Sequence, residues 1–197
     1  MVSLLAIQDL AGQPSGAFGF KGASGRCHNS FMPLLPPARV SIQTQDFDLG
    51  AEVAALRAAD GGVGAVVSFV GTVRDRNGDG AQGVSAMELE HYPGMTERSI
   101  ETMIDEAFQR FDMRAARVVH RVGVLQPLEQ IVLVVVTSAH RGQAFQACEF
   151  LMDYLKTQAP FWKKETTPDG AHWVDARVSD DQALERWGIA SVGNAAP

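Results

Sequence analysis

Residues 131–141 read Ile131-Val132-Leu133-Val134-Val135-Val136-Thr137-Ser138-Ala139-His140-Arg141. Further on come Lys156-Thr157-Gln158-Ala159-Pro160-Phe161-Trp162-Lys163-Lys164-Glu165. The β-branched run predicts a central strand over 130–136. Between the two segments Ala144, Phe145, Cys148, Leu151, Met152 and Leu155 recur at helical spacing, which predicts a helix over 142–158 that Pro160 stops. His140 and Arg141 then lie at a strand end and helix start, where free N–H groups and the positive end of the helix dipole favour an anion. Lys156 falls in the last helical turn and Lys163 beyond the proline, so the two ammonium groups can converge across a sharp turn. The same spacing also suits a solvated lysine paired with a helix C-terminus and a hydrogen-bonded rim histidine. Trp162 supplies the kind of apolar wall that desolvates and tunes a neighbouring amine.

Working outward, the chain of 197 residues is 46% hydrophobic, with a net charge of −6 and a pI near 5.3. That size suits one globular domain with tails. The acidic balance argues against a nucleic-acid binder, which would carry a basic face. Residues 140–165 depart from that balance, with Arg141, Lys156, Lys163 and Lys164 set against Glu149, Asp153 and Glu165. Of the two cysteines, Cys148 falls on the apolar helical stripe and Cys27 in a Gly/Ser-rich segment; neither belongs to a metal-ligand pattern, and no metal is expected. No apolar run approaches the roughly 18 residues of a membrane span. The apolar start, Met1 to Ile7, is short and lacks a basic leader, so a cytoplasmic protein is expected.

Residues 1–38 show no sustained period and read as a flexible extension; Met32 would begin a more compact protein. The domain is expected over 39–188, with 189–197 a frayed tail. Within the domain, Val40 to Gln43 alternates as a strand, and Asp48 can cap a helix over 49–59. Ala65 to Val70 reads as a buried strand leading to Gly71-Thr72-Val73-Arg74. The polar run 75–83 reads as a mobile loop whose lettering only weakly resembles a calcium loop. Val84 to Tyr92 alternates, and a helix is predicted over 96–111 from Ile100, Met103, Ile104, Ala107, Phe108 and Phe111. Strands at 116–122 and 130–136 follow. A hairpin turning at Pro168-Asp169-Gly170 pairs 161–166 with 172–177, and a short helix ends near Trp187. The order β-α-β-β-α-β-β-α-β-β fits an α+β domain: helices on a mainly antiparallel sheet, plus a small extra β-hairpin layer.

Five motifs occur in sequence: Phe69-Val70-Gly71-Thr72-Val73-Arg74, Leu89-Glu90-His91-Tyr92-Pro93-Gly94-Met95, His120-Arg121-Val122-Gly123, Thr137-Ser138-Ala139-His140-Arg141, and Met152 through Glu165. Together, over about residues 40–187, they resemble the catalytic-subunit family of molybdopterin synthase, the MoaE family, with its α/β hammerhead-like fold. The resemblance implies a sulfurtransferase of molybdenum cofactor biosynthesis. It would convert cyclic pyranopterin monophosphate to the molybdopterin dithiolene with sulfur from a thiocarboxylate. That group ends the C-terminal Gly-Gly tail of a small ubiquitin-like subunit, and a large-subunit dimer would carry one such partner at each end, making a heterotetramer. No cofactor is implied, because the partner brings the sulfur.

By the same resemblance Lys156 and Lys163 are the catalytic lysines. Thr72, Val73, Arg74, His140, Arg141, Lys156, Lys163, Lys164 and Glu165 form the substrate-binding set, and Phe69 and Met152 line the pocket. The chemistry is coherent, because a phosphate and a thiocarboxylate both need cations, and Arg74 and Arg141 offer planar donor forks. Lys156 is assigned to the thiocarboxylate, and Lys163 to proton transfer at the pterin side chain. His91 and His120 read as structural. A non-catalytic binding module of the same fold is the alternative. A phosphate-ester enzyme would want a metal site or nucleophile that the sequence lacks.

Overall fold

The computed structural model describes residues 38–58, 60–75, 83–174 and 186–188, all of which fall in the unit Leu35–Pro197. The expected extension up to Pro37, the central part of the 75–83 loop, the start of the terminal helix and the tail from 189 lie outside the described residues.

Among the described residues, eight strands and three helices follow one another as β1 (Val40–Gln43), α1 (Leu49–Arg57), β2 (Ala65–Thr72), β3 (Ala86–His91), α2 (Met95–Arg110), β4 (Ala115–Arg121), β5 (Gly123–Leu125), β6 (Gln130–Ser138), α3 (Arg141–Thr157), β7 (Phe161–Thr167) and β8 (Gly170–Val174). They form two four-stranded sheets, ordered β1-β4-β6-β2 and β5-β3-β7-β8. All pairings are antiparallel except β1 with β4. The α+β class is as the sequence predicts, but the expected hairpin layer is a full second sheet. The unpredicted element is β5. Gly123, at φ 86°, turns the chain out of the first sheet and into the second. A left-handed residue of this kind is one that a Cβ disfavours, and it opens a short strand just beyond the one expected over 116–122.

The first sheet is covered on both faces. On one, Ile100, Met103, Ile104 and Ala107 of α2 and Ala147, Phe150, Leu151 and Leu155 of α3 pack on Ala116, Val118, Val132, Val134 and Val136. On the other, Phe47 and the half-buried Val53 and Leu56 of α1 cover Val119, Leu133 and Val135. Burial on both faces explains why β6 reads as an unbroken apolar run rather than an alternation. Each fully buried side chain of the α2 stripe contributes roughly 1.5–3 kcal/mol.

The helix ends follow their capping residues. Asp48 accepts from the Ala51 N–H at 3.0 Å to open α1. Gly94, at φ 79°, opens α2, its own N–H donating to Glu97 Oε2 at 2.6 Å. In α3 the stripe is rotated from the expected one. Phe150 is wholly buried, edge-on to Phe111, whereas Phe145 is 62% exposed. Two aromatics five residues apart cannot share one helix face, and Phe150 faces the α2 side.

Candidate functional site

β2 is an edge strand of the first sheet, and α3 runs beside it. Between them lies an open groove of about 360 Å³. It is lined by Val67 to Phe69 of β2 and, from α3, by Phe145, Cys148, Glu149, Met152, Asp153 and Lys156. Phe69, Met152 and Lys156, three of the sequence-predicted site residues, thus meet in one place. Cys148 forms part of the floor; burial pushes its thiol up to about 11, so it stays protonated and is no nucleophile at neutral pH.

Gly71 and Thr72 lead out of β2 through a register shift against β6. Such a bulge re-aims the side chains that follow it. Gly71 is needed there, since a Cβ would approach Val132 Cγ1 to 2.8 Å. Thr72 and Arg74 are exposed, whereas Val73 is buried. The Val73 N–H donates to Glu129 O (2.9 Å) and its carbonyl accepts from the Leu128 N–H (2.8 Å). Val73 is therefore the anchor that fixes the backbone on which Thr72 and Arg74 are carried; its side chain packs with Met87, Leu89 and Leu125.

Beyond α3 the chain turns at Ala159-Pro160 into β7. The carbonyl of Pro160 accepts from the hydroxyl of buried Thr96 at 3.1 Å. Phe161 stacks on His120 with ring centroids 3.9 Å apart and planes at 17°. His120 is buried, with Nδ1 2.8 Å from Arg121 O, and burial lowers its pKa to about 4. It is a neutral structural ring joining the two sheets. Thr96 and His120 set the path between Lys156 and Lys163, and sequence periodicity does not assign that task to either.

In β7, alternation divides the Lys163-Lys164-Glu165 triplet between two faces. Lys163 Nζ lies 2.8 Å from Glu165 Oε1. The two residues stand opposite Leu89 and Met87 of β3, on the face that carries the cluster Val73, Met87, Leu89 and Leu125. Arg74 follows Val73 of that cluster in the chain, and Lys163 pairs with its Leu89. Glu165 is buried and serves as counter-ion to Lys163. Lys164 points the other way, 3.5 Å from Glu88 Oε2 and over the Trp173 ring, so it does not join Lys163.

His140 and Arg141 stand apart from the rest. His140 is the N-cap of α3 and Arg141 its first residue, while Lys156 is the penultimate residue of this 17-residue helix. At 1.5 Å rise per residue, Arg141 and Lys156 are about 22 Å apart along the axis. His140 is held at the far end by the packing of Gly64 against Ala139 and by the Ser138 hydroxyl, which accepts from the His140 N–H at 3.2 Å. One chain therefore divides its predicted site into a groove end, with Phe69, Met152 and Lys156, and a remote His140–Arg141 end. Among the described residues no group of three or more His, Cys, Asp and Glu could hold a metal ion, and no helix is long and apolar enough to cross a membrane.

Fold and site together define a two-sheet α+β protein with an open, lysine-bearing groove between an edge strand and a helix. The chain belongs to the MoaE protein family, whose model matches residues 42–158. A relative from Ralstonia nicotianae, described as a molybdopterin synthase catalytic subunit, is 64% identical over 152 residues, covering 77% of this chain and 85% of that one. The solved molybdopterin biosynthesis MoaE protein from Burkholderia ambifaria is 60% identical with a TM-score of 0.67, covering 77% and 99% of the two chains. The crystal structure of molybdopterin synthase from Staphylococcus aureus contains a chain 30% identical with a TM-score of 0.63, covering 70% and 97%.

Proposed function

We propose that this chain is the catalytic subunit of a molybdopterin synthase and that it works as a sulfurtransferase. In this reading the thiocarboxylated tail of a small ubiquitin-like subunit lies in the β2–α3 groove, and cyclic pyranopterin monophosphate is the acceptor. The observation that carries the reading is the meeting of Phe69, Met152 and Lys156 in that groove, in a chain belonging to the MoaE family. An extended Gly-Gly tail is narrow enough for such a channel, apolar walls exclude water from it, and an ammonium group answers the terminal charge.

The residues divide the work by position. Lys156 polarises the acyl–sulfur group as the sulfur bonds to a carbon of the pterin side chain and displaces an oxygen substituent, which leaves with a proton; water then cleaves the acyl C–S bond, leaving the partner a carboxylate and the pterin a thiolate. Lys163, fixed by Glu165, moves protons at the pterin side chain. Arg74 contributes a donor fork for the phosphate. Because Arg141 lies about 22 Å from Lys156 along α3, the His140–Arg141 pair of a second copy, rather than of the same chain, completes each pocket. This is the sense in which a dimer is required. Lys164, on the opposite face of β7, lies outside the pocket in this reading.

The test combines the purified chain, the thiocarboxylated small subunit and cyclic pyranopterin monophosphate, and assays the dithiolene product beside Lys156→Ala. Product from wild type with a loss of at least a hundredfold in the variant supports the reading. Absence of product from wild type with the small subunit still bound would favour a non-catalytic binding module.

A further inference from the structure

The lining of the groove that is proposed to take an anionic tail carries two carboxylates, Glu149 and Asp153, and a single ammonium group, Lys156. An acidic groove would repel a carboxylate or thiocarboxylate at close range. A segment far along the sequence deals with both acids. The Arg186 guanidinium donates from Nη2 to Asp153 Oδ2 at 2.6 Å and lies 2.9 Å from Glu149 Oε1. The Trp187 indole N–H donates to the same Asp153 oxygen at 2.8 Å.

This arrangement is held firmly. The Trp187 ring packs edge-on to Phe111 and Phe150, with centroids 5.8 and 5.6 Å away. The Trp187 carbonyl accepts from Arg110 Nη1 at 2.7 Å. Trp187 is thus an anchor in the aromatic core that sets Arg186 against the α3 face bearing Glu149 and Asp153. Asp153 is only 15% exposed, and its hydrogen bonds fix which way its charge points.

We propose that Arg186, seated by Trp187, is a positioning residue for the groove: by engaging Glu149 and Asp153 together it offsets one of their two negative charges, leaving the other to Lys156, and makes the groove receptive to an anionic tail. The inference rests on the reading that such a tail enters the groove. Arg186 does not touch substrate. It acts through the two acids, one and two helical turns before Lys156, which share its side of α3. A purely structural staple would use the same contacts, but it would not make tail affinity depend on the charge of Glu149 and Asp153.

The experiment uses the full chain and measures Kd for the small subunit in its carboxylate form at low and high salt, together with KM and kcat for the thiocarboxylated form. Arg186→Gln should raise Kd and KM roughly fivefold to tenfold at low salt with kcat within about twofold, and Arg186→Lys should recover most of the affinity. Adding Glu149→Gln and Asp153→Asn to Arg186→Gln should bring Kd back to within about twofold of wild type, because no acid is left to neutralise. A triple variant still as weak as Arg186→Gln, or Arg186→Gln binding as tightly as wild type, overturns the proposal. Loss of folding is checked by thermal melting; should Arg186→Gln fail to fold, the double variant Glu149→Gln/Asp153→Asn with Arg186 kept carries the test, since it should bind the tail more tightly than wild type at low salt, and unchanged or weaker binding overturns the proposal. Failure of the underlying reading is distinct: there, wild type itself would not bind the tail or turn over.

Discussion

Lys163 and Glu165 lie two residues apart on one face of β7, with Nζ 2.8 Å from Oε1 and the carboxylate buried. The pair explains why a lysine on a strand, at the end of a long flexible side chain, can act at a defined place: the buried acid limits its rotamers. Glu165→Gln should therefore lower turnover by about tenfold or more while leaving affinity for the small subunit within twofold. A double-mutant cycle with Lys163→Met should give a coupling energy of about 0.5–2 kcal/mol. Strict additivity of the two losses would show that Glu165 does not act through Lys163.

The separation of Arg141 from Lys156 makes a prediction about assembly. Arg141→Ala and Lys156→Ala should each be nearly inactive alone. Refolded or co-expressed together, they should regain roughly a quarter of wild-type activity, because half of the dimers are mixed and each mixed dimer holds one intact pocket. No recovery in a verified mixed dimer would return His140 and Arg141 to their own chain.

His120 predicts the acid limb of stability. Its pKa is lowered by burial from an ordinary 6.5 to about 4, so between those values the unfolded chain binds more protons than the folded one. Stability is unaffected by this group above pH 6.5 and falls as pH drops from 6.5 towards 4, by roughly 3 kcal/mol in all. Denaturant titrations across that range should show a shallower slope for His120→Gln than for wild type. Equal slopes would remove His120 as the cause.

The Cys148 thiol, with its pKa raised to about 11, should react with iodoacetamide at pH 8.5 tens to hundreds of times more slowly than a free cysteine. The measurement is made in a Cys27→Ser background, and denaturant should restore the ordinary rate. Fast labelling of the folded chain would show that the groove floor opens.

Much of this was legible from local pattern. Asp48 as N-cap, the α2 stripe apart from the exposed Phe108, and the stop at Pro160 each depend on neighbours within a few residues, where periodicity and capping chemistry act directly. Local pattern failed where a distant element intervened. Phe145 and Phe150 are interchangeable as apolar helix residues until α2 claims one of them. The division of residues 115–125 into β4 and β5 depends on a second sheet to receive β5. Lys163 and Lys164 both belong to the expected substrate-binding set, yet β7 puts them on opposite faces as soon as β3 fixes its register.

The sequence by itself determined the α+β class and the family, and it put forward the candidate site residues, because these reside in residue type, order and spacing. The tertiary structure alone decided how those residues are grouped. It brought Phe69 to Met152 and Lys156 across β2 and α3, buried Val73 and Glu165, turned Lys164 outward, and set Arg141 at the opposite end of a rigid helix from Lys156. It also brought Arg186 onto Glu149 and Asp153. Such groupings depend on long-range packing between elements whose meeting no short-range spacing encodes.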